Sequence, residues 1–464
     1  MTWDRLLDER RIRDLLDGQS SQKPQGDSRS EFERDRDRTI FSSPVRRLIG
    51  KTQVFPLDPN DHVRTRLVHS LEVSTVAEGL ASQAVRDVIA KKEELSVDQE
   101  RAISKIAETC GLLHDLGNPP FGHAGELAIA SWFKTKVGID SFFLKLDGRD
   151  SQRSKDFLSF EGNAQTLRIA TNTHLIGHDR GLNLTCATTA AARKYLASSL
   201  TALKNGGDHA YSKPGYFQSE EAILDRVAEQ TGTHGRRHPI TFLVEAADDI
   251  VYSVVNIEDG IKKLVLDWAY VDGKLKESCG DSLLFQRTID GMNDQLGPGD
   301  HPATERAQAF RINAISQMVR AAVLCFGLRY EAIMCGEYRE ELVYDTSCQA
   351  SSLVNACKTL LLDTVFRDED VLRLEVRGRR VLHELMDLFW EGVRDHIDDS
   401  TVGTNTYARE LYQLIAGGYR TQFEKRMAEA PVDAEYLGLQ LVTDFVSGMT
   451  DGYACRLHSD LTNG

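Results

Sequence analysis

The stretch CGLLHDLGNPPFGHAGE, residues 110–126, decides how the rest of the chain is read. It sets His114 beside Asp115, breaks at Pro119-Pro120, and then offers a second imidazole and carboxylate, His123 and Glu126. Neighbouring side chains on a helix point about 100° apart, so both reach one point only if it lies between their directions, as a metal ion can. Upstream, Ile103, Ile106, Ala107, Cys110 and Leu113 form an apolar stripe at helical spacing, and His114 continues it towards the interior. A lone inward histidine is ordinarily a core residue with hydrogen-bonded ring nitrogens. Asp115 shifts that balance, because a carboxylate on an apolar face is costly unless a cation or hydrogen-bond donors compensate it.

Pro119 and Pro120 end this helix near Asn118, since a proline disfavours helical conformation in the residue before it. Helix is predicted to resume over 121–136, where His123 and Glu126 at i, i+3 are neighbours and the carboxylate fixes the ring's tautomer and raises its basicity. His123 is thus the candidate general acid or base; the plainer reading is a histidine that hydrogen-bonds a helix end.

Two other segments share the pattern. Over 63–84, His69 begins a helical face continued by Val73, Val76, Leu80 and Ala84. Over 239–266, Asp248, Val251, Tyr252, Val255 and Asn256 fall along one face, and the pair Asp248-Asp249 sits among Ala246, Ala247 and Ile250. One of the two carboxylates is expected to do more than face solvent. His69, the His114-Asp115 pair and a later Asp would supply two nitrogens and two carboxylate oxygens, a set suited to Fe, Mn, Zn or Co rather than calcium. Such a centre acidifies bound water and polarises a phosphoryl oxygen, so the chemistry implied is hydrolysis.

The 464 residues suffice for a large core, and by length alone for two or three domains. No apolar run approaches the roughly 20 residues that span a bilayer. The first residues, MTWDRLLDERRIRDLL, carry charges where a signal peptide is apolar, so no membrane association and a cytoplasmic location are expected. The eight cysteines form no CxxC pair, which excludes a thiolate zinc site and a disulfide framework from the expectation. A net charge of −14 argues against a surface built for nucleic acid. Locally, residues 29–51 carry seven cations against four acids, a patch suited to a small polyanion or simply a solvated charge run.

Along the chain, residues 4–17 read as an amphipathic helix and 18–30 as a polar arm, together an amino-terminal unit 1–30 ahead of a body that starts near Glu31. A turn-rich segment surrounds Pro56 and Pro59. Residues 137–238 are less regular and read as an insertion into a core spanning 31–330, with the loop KNGGDHAYSKPGYF (204–217) forming a pocket wall. Residues 331–464 are expected to be a helical carboxy-terminal region that completes the pocket and makes oligomer contacts. No strand-rich region, phosphate-binding GxxxxGK[ST] loop or fixed-period repeat occurs, so the fold class is all-α.

Four motifs, TQVFPLDPNDHVRTRLVHSLEV (52–73), HDLGNPPFGHAGE (114–126), FEGNAQTLRI (160–169) and EAADDIVYSV (245–254), together resemble the deoxyguanosine triphosphate triphosphohydrolase branch of the HD-domain dNTP triphosphohydrolases. The similarity runs from about residue 31 to 330 and is weaker beyond. It implies a helical HD core that cleaves a deoxynucleoside triphosphate, dGTP foremost, into deoxynucleoside and tripolyphosphate by water attack at the α-phosphorus. It implies metal ligands at His69, His114, Asp115 and Asp248, with Asp248 chosen because Tyr252, the sugar-stacking tyrosine, follows four residues later. The ion would be divalent: Mn, Mg, Fe or Co. By the same resemblance His123 and Glu126 are catalytic, Gln53 and Val54 meet the sugar, and Arg66 and Lys213 contact phosphate. One departure is Asn256, where relatives commonly carry an Asp near the sugar 3′-hydroxyl. A ring-like homo-oligomer, often a hexamer, and activation by a dNTP or single-stranded DNA are also implied. Two other readings stand beside this one: an HD phosphohydrolase of nucleoside monophosphates or signalling nucleotides, and a nucleotide- or ssDNA-binding regulatory module without catalysis.

Overall fold

The computed structural model describes residues 1–18, 25–55, 57, 63–136, 147–173, 180–202, 207–398 and 406–462. Within them the chain is helical throughout, and its only β-type pairings are isolated bridges, Arg11 with Thr185, Thr52 with Thr65 and Ala197 with Pro214. The turn expected at Pro56 and Pro59, the start of the 204–217 loop and much of the 18–30 arm lie outside the described residues.

Helix ends follow local chemistry. Ser30 and Ser96 each open a helix with a reciprocal capping box, to Glu33 and to Gln99, satisfying amides that the first turn leaves unpaired. Pro239 occupies the first turn of the Pro239–Lys262 helix, where its missing N–H costs nothing. The Arg66–Asp87, Val97–Leu113 and Pro239–Lys262 helices pack together through Val73, Leu80, Ile103, Ile106, Ile250 and Val254, and the long Ala303–Cys335 helix closes this first core. Gly111 lies where the first two meet: a Cβ there would come within 2.5 Å of the Ser74 Cα.

A second core gathers Ile129, Trp132 and Phe133 of the Gly122–Lys136 helix against Leu385 and Phe389 of the Glu369–Asp398 helix and Val442 and Phe445 of the Ala434–Ser447 helix. The division expected at residue 330 instead falls inside the Ala303–Cys335 helix, and packing passes between cores after Val371. The first core also includes Trp3, Leu6 and Leu7, whose helix is pinned by the Trp3 indole donating to the Tyr330 hydroxyl at 2.8 Å. Arg11 is buried and pairs with Asp35, so the body includes residues ahead of Glu31. No helix among the described residues is long and apolar enough to cross a membrane.

Candidate active site

The two helices that meet at Gly111 bring their imidazoles together. His69 stands one turn into the Arg66–Asp87 helix, His114 caps the end of the Val97–Leu113 helix, and their ring centroids are 5.3 Å apart. Asp248, midway along the Pro239–Lys262 helix, sets Oδ1 3.1 Å from His69 Nε2 and 3.6 Å from His114 Nε2. Asp115 Oδ2 lies 3.6 Å from His114 Nε2 on the other side. Donor atoms of His69, His114 and Asp115 all fall within 4.8 Å of one another.

Protonation states are set by the surroundings. His114 Nδ1 is 2.7 Å from the Gly111 carbonyl and donates to it, which turns Nε2 towards the carboxylates. That buried Nε2 makes no hydrogen bond. Burial pushes the Asp248 carboxyl up, but His114 and His69 outweigh it and hold the group well below its ordinary range. Burial also works against the Asp115 charge, and Arg66, whose Nη1 is 2.8 Å away, brings the carboxyl below its ordinary value together with the two imidazoles. A ring nitrogen without a hydrogen-bond partner, grouped with two ionised carboxylates and a second imidazole, is a donor set that fits a divalent ion. Asp249 points the other way, towards the Lys358 ammonium at 2.7 Å, which separates the two members of the Asp pair.

Beyond the Pro-Pro turn, Phe121 and Gly122 both take left-handed backbone angles, with φ of 63° and 58°. At Gly122 a Cβ would also lie 2.7 Å from Arg66 Nη2, so a side chain there would have to push the guanidinium aside. The turn delivers His123 with its ring 74% exposed, while Nδ1 sits 2.7 Å from Glu126 Oε2. Glu126 is buried, and its other oxygen accepts from the Gly162 amide at 2.8 Å. The bond to Glu126 raises the His123 pKa above its ordinary value, against a smaller opposing effect of burial.

These groups line one cavity of about 530 Å³, within the range of small-molecule sites. Gln53, Val54, Arg66, Lys213 and Tyr252 line it too. Tyr252 stands with its ring 6.3 Å from that of His69 and stacks nearly parallel on Phe366 at 6.4 Å. Lys213 Nζ is 3.4 Å from Glu161, whose carboxyl is raised by burial and by the neighbouring Glu126. Asn256 does not reach the cavity: it is buried, and its Nδ2 donates back to the Tyr252 carbonyl at 2.9 Å.

Sequence reasoning passed over Lys194, Glu161, Phe366 and Glu375, which also line the cavity. Glu161 lay in a quoted motif and Lys194 stands two residues past the Ala/Thr-rich run that ends at Ala192, so both had a local signal. Phe366 and Glu375 had none, because long-range packing alone brings them there. The cations of 29–51 prove largely committed within the molecule: Arg29 to Asp27 and Asp37, Arg34 to Glu31, Arg36 to Glu108, and Lys51 to backbone carbonyls.

Residues 66–145 match the HD domain family, a span that holds His69, His114, Asp115, His123 and Glu126. The chain is 33% identical to a deoxyguanosinetriphosphate triphosphohydrolase-like protein of Listeria innocua, with 99% of each chain covered. It is 34% identical to one from Synechocystis, again over 99% of each. Identity to a deoxyguanosinetriphosphate triphosphohydrolase of Klebsiella pneumoniae is 31%, over 91% of this chain and 92% of that one. With end-to-end similarity of this kind and an HD span that carries the clustered side chains, the chain belongs to the deoxyguanosinetriphosphate triphosphohydrolase family.

Proposed function

We propose that this protein hydrolyses deoxynucleoside triphosphates to deoxynucleoside and tripolyphosphate, with a divalent ion held by His69, His114, Asp115 and Asp248. The observation that carries the reading is the buried, unpartnered His114 Nε2 facing those groups in a cavity that also holds Arg66, Lys194 and Lys213. When bound, the ion supplies Lewis acidity towards an α-phosphoryl oxygen and a water acidic enough to attack near neutral pH. The chain's own residues do the rest. Arg66, Lys194 and Lys213 offset the charge of the triphosphate. His123, protonated with the help of Glu126, gives its proton to the departing 5′-oxygen of the sugar. Gln53 and Val54 close on the sugar edge, and Tyr252, stiffened by Phe366, offers it a flat face.

Preference for dGTP draws support from Glu375, a carboxylate on the cavity wall. Guanine carries adjacent N1–H and N2–H₂ donors that such an acceptor pairs with, and adenine and the pyrimidines lack that edge. Of manganese, magnesium, iron and cobalt, the mixed nitrogen and oxygen set favours manganese, iron and cobalt over magnesium, which prefers oxygen ligands. Assembly as a homo-oligomer, up to a hexamer, a cytoplasmic location, and regulation by a dNTP or single-stranded DNA complete the proposal. Incubating the purified protein with each dNTP and Mn or Mg and separating the products tests it. Tripolyphosphate and deoxynucleoside in equal amounts, most from dGTP, are expected; release of pyrophosphate or orthophosphate from the same substrates would overturn it.

A further inference from the structure

Two cavity-facing segments that are far apart in sequence share a single anchor. Asp451, the first residue of the Asp451–Thr462 helix, is 2% exposed and takes three donors into one carboxylate. Oδ2 accepts from the Thr52 amide at 3.0 Å and from the Thr52 hydroxyl, and Oδ1 accepts from the Phe121 amide at 3.0 Å. Thr52 immediately precedes Gln53 and Val54, and Phe121 opens the left-handed turn that delivers His123. The same junction is closed by Lys51, whose ammonium donates to the carbonyls of Asn118 and, at 2.8 Å, Ser447. Gly50 packs so tightly on Thr450 that a Cβ there would lie 2.9 Å from the Thr450 Cβ.

We propose that Asp451 is a positioning residue that couples the sugar-facing wall at Gln53-Val54 to the turn carrying His123, fixing the distance between the bound sugar and its proton donor. A left-handed non-glycine residue such as Phe121 is strained by itself and persists only where neighbours hold it. The Asp451 oxygen on its amide supplies that hold. Because both oxygens face donors, the isosteric change Asp451→Asn cannot satisfy the site: whichever way the amide turns, its NH₂ meets an N–H. One of the two links is lost while shape and volume stay the same.

The catalytic consequence rests on the hydrolysis proposed above, so the test reads geometry and turnover separately. In Asp451→Asn, backbone hydrogen exchange should quicken at residues 51–55 and 121–123 together, with the Arg66–Asp87 and Pro239–Lys262 helices unchanged. The kcat for dNTP should fall by about 10- to 100-fold with a smaller change in KM, and discrimination against ribonucleotides should narrow. If the variant does not fold, Thr52→Val, which removes the hydroxyl donation alone, should give a weaker form of the same pattern. Unchanged exchange at both segments overturns the proposal, as does a kcat loss that only tracks the fraction of unfolded protein. A wild-type protein that turns over no dNTP overturns the proposed function and leaves the coupling to be decided by exchange.

Discussion

At the scale of single residues, the proton on His123 is the quantity most open to measurement. Its bond to Glu126 raises its pKa above the ordinary 6.5, so the protonated form persists further into the alkaline range than that of a free histidine. If that proton goes to the departing oxygen, kcat is full below the raised pKa and falls as pH climbs through it. Glu126→Gln removes the charge that raises it, so the alkaline limb should move to lower pH in a pH–rate profile. His123→Ala should lower kcat by roughly 10²- to 10⁴-fold while the metal content, read by elemental analysis, stays at the wild-type level, because the ring lies outside the His69, His114 and Asp115 cluster.

At the scale of helices, the spacing of His69 and His114 is set by how closely two backbones approach. Gly111→Ala would place a methyl group 2.5 Å from the Ser74 Cα, a rigid backbone atom, so the helices must part. Overpacking of this kind costs about 1–3 kcal/mol, and here it should also weaken metal binding; a melting curve and a metal titration on the same sample check both. These helices were legible in sequence because one face is apolar and the other is not: the stripes ending at His114 and beginning at His69 both point inward as read. The Pro239–Lys262 helix shows why the reading stops. It is buried on nearly every side, so periodicity could not say which of its polar residues meets the cavity. Asp248 and Asp249 came apart only through the partners each found, and Asn256, in register with Tyr252, turned back on its own helix. Phe366, Glu375 and Asp451 lay beyond any local rule, since each reaches the site by contacts with segments more than a hundred residues away in sequence.

At the scale of the whole molecule, the junction at Lys51 ties stability to pH. Burial, with the nearby Arg47 charge, pushes its ammonium from 10.5 down to about 7, while two backbone carbonyls remain within its reach as acceptors. Between those values the unfolded chain holds a proton that the folded chain lacks, so this group makes stability rise with pH; below about 7 both states are protonated and its contribution is flat at its lowest. Lys51→Met should remove up to about 1.4 kcal/mol per pH unit from the slope of unfolding free energy over that window. Denaturant titrations of both proteins at several alkaline pH values measure it, and parallel slopes would count against a depressed Lys51.

The seam between the two cores has a consequence for how the protein tolerates change. His69 and Asp248 ride on one packed body, and His123 and Glu126 ride on the other, through a helix whose apolar residues belong to the second. The site is therefore a gap whose width depends on the alignment of two separately packed masses. Substitutions deep in either mass, far from any substrate atom, act as shims: a fraction of an ångström gained or lost among Phe133, Phe389 and Phe445 changes the reach of His123 without altering a single residue in the cavity.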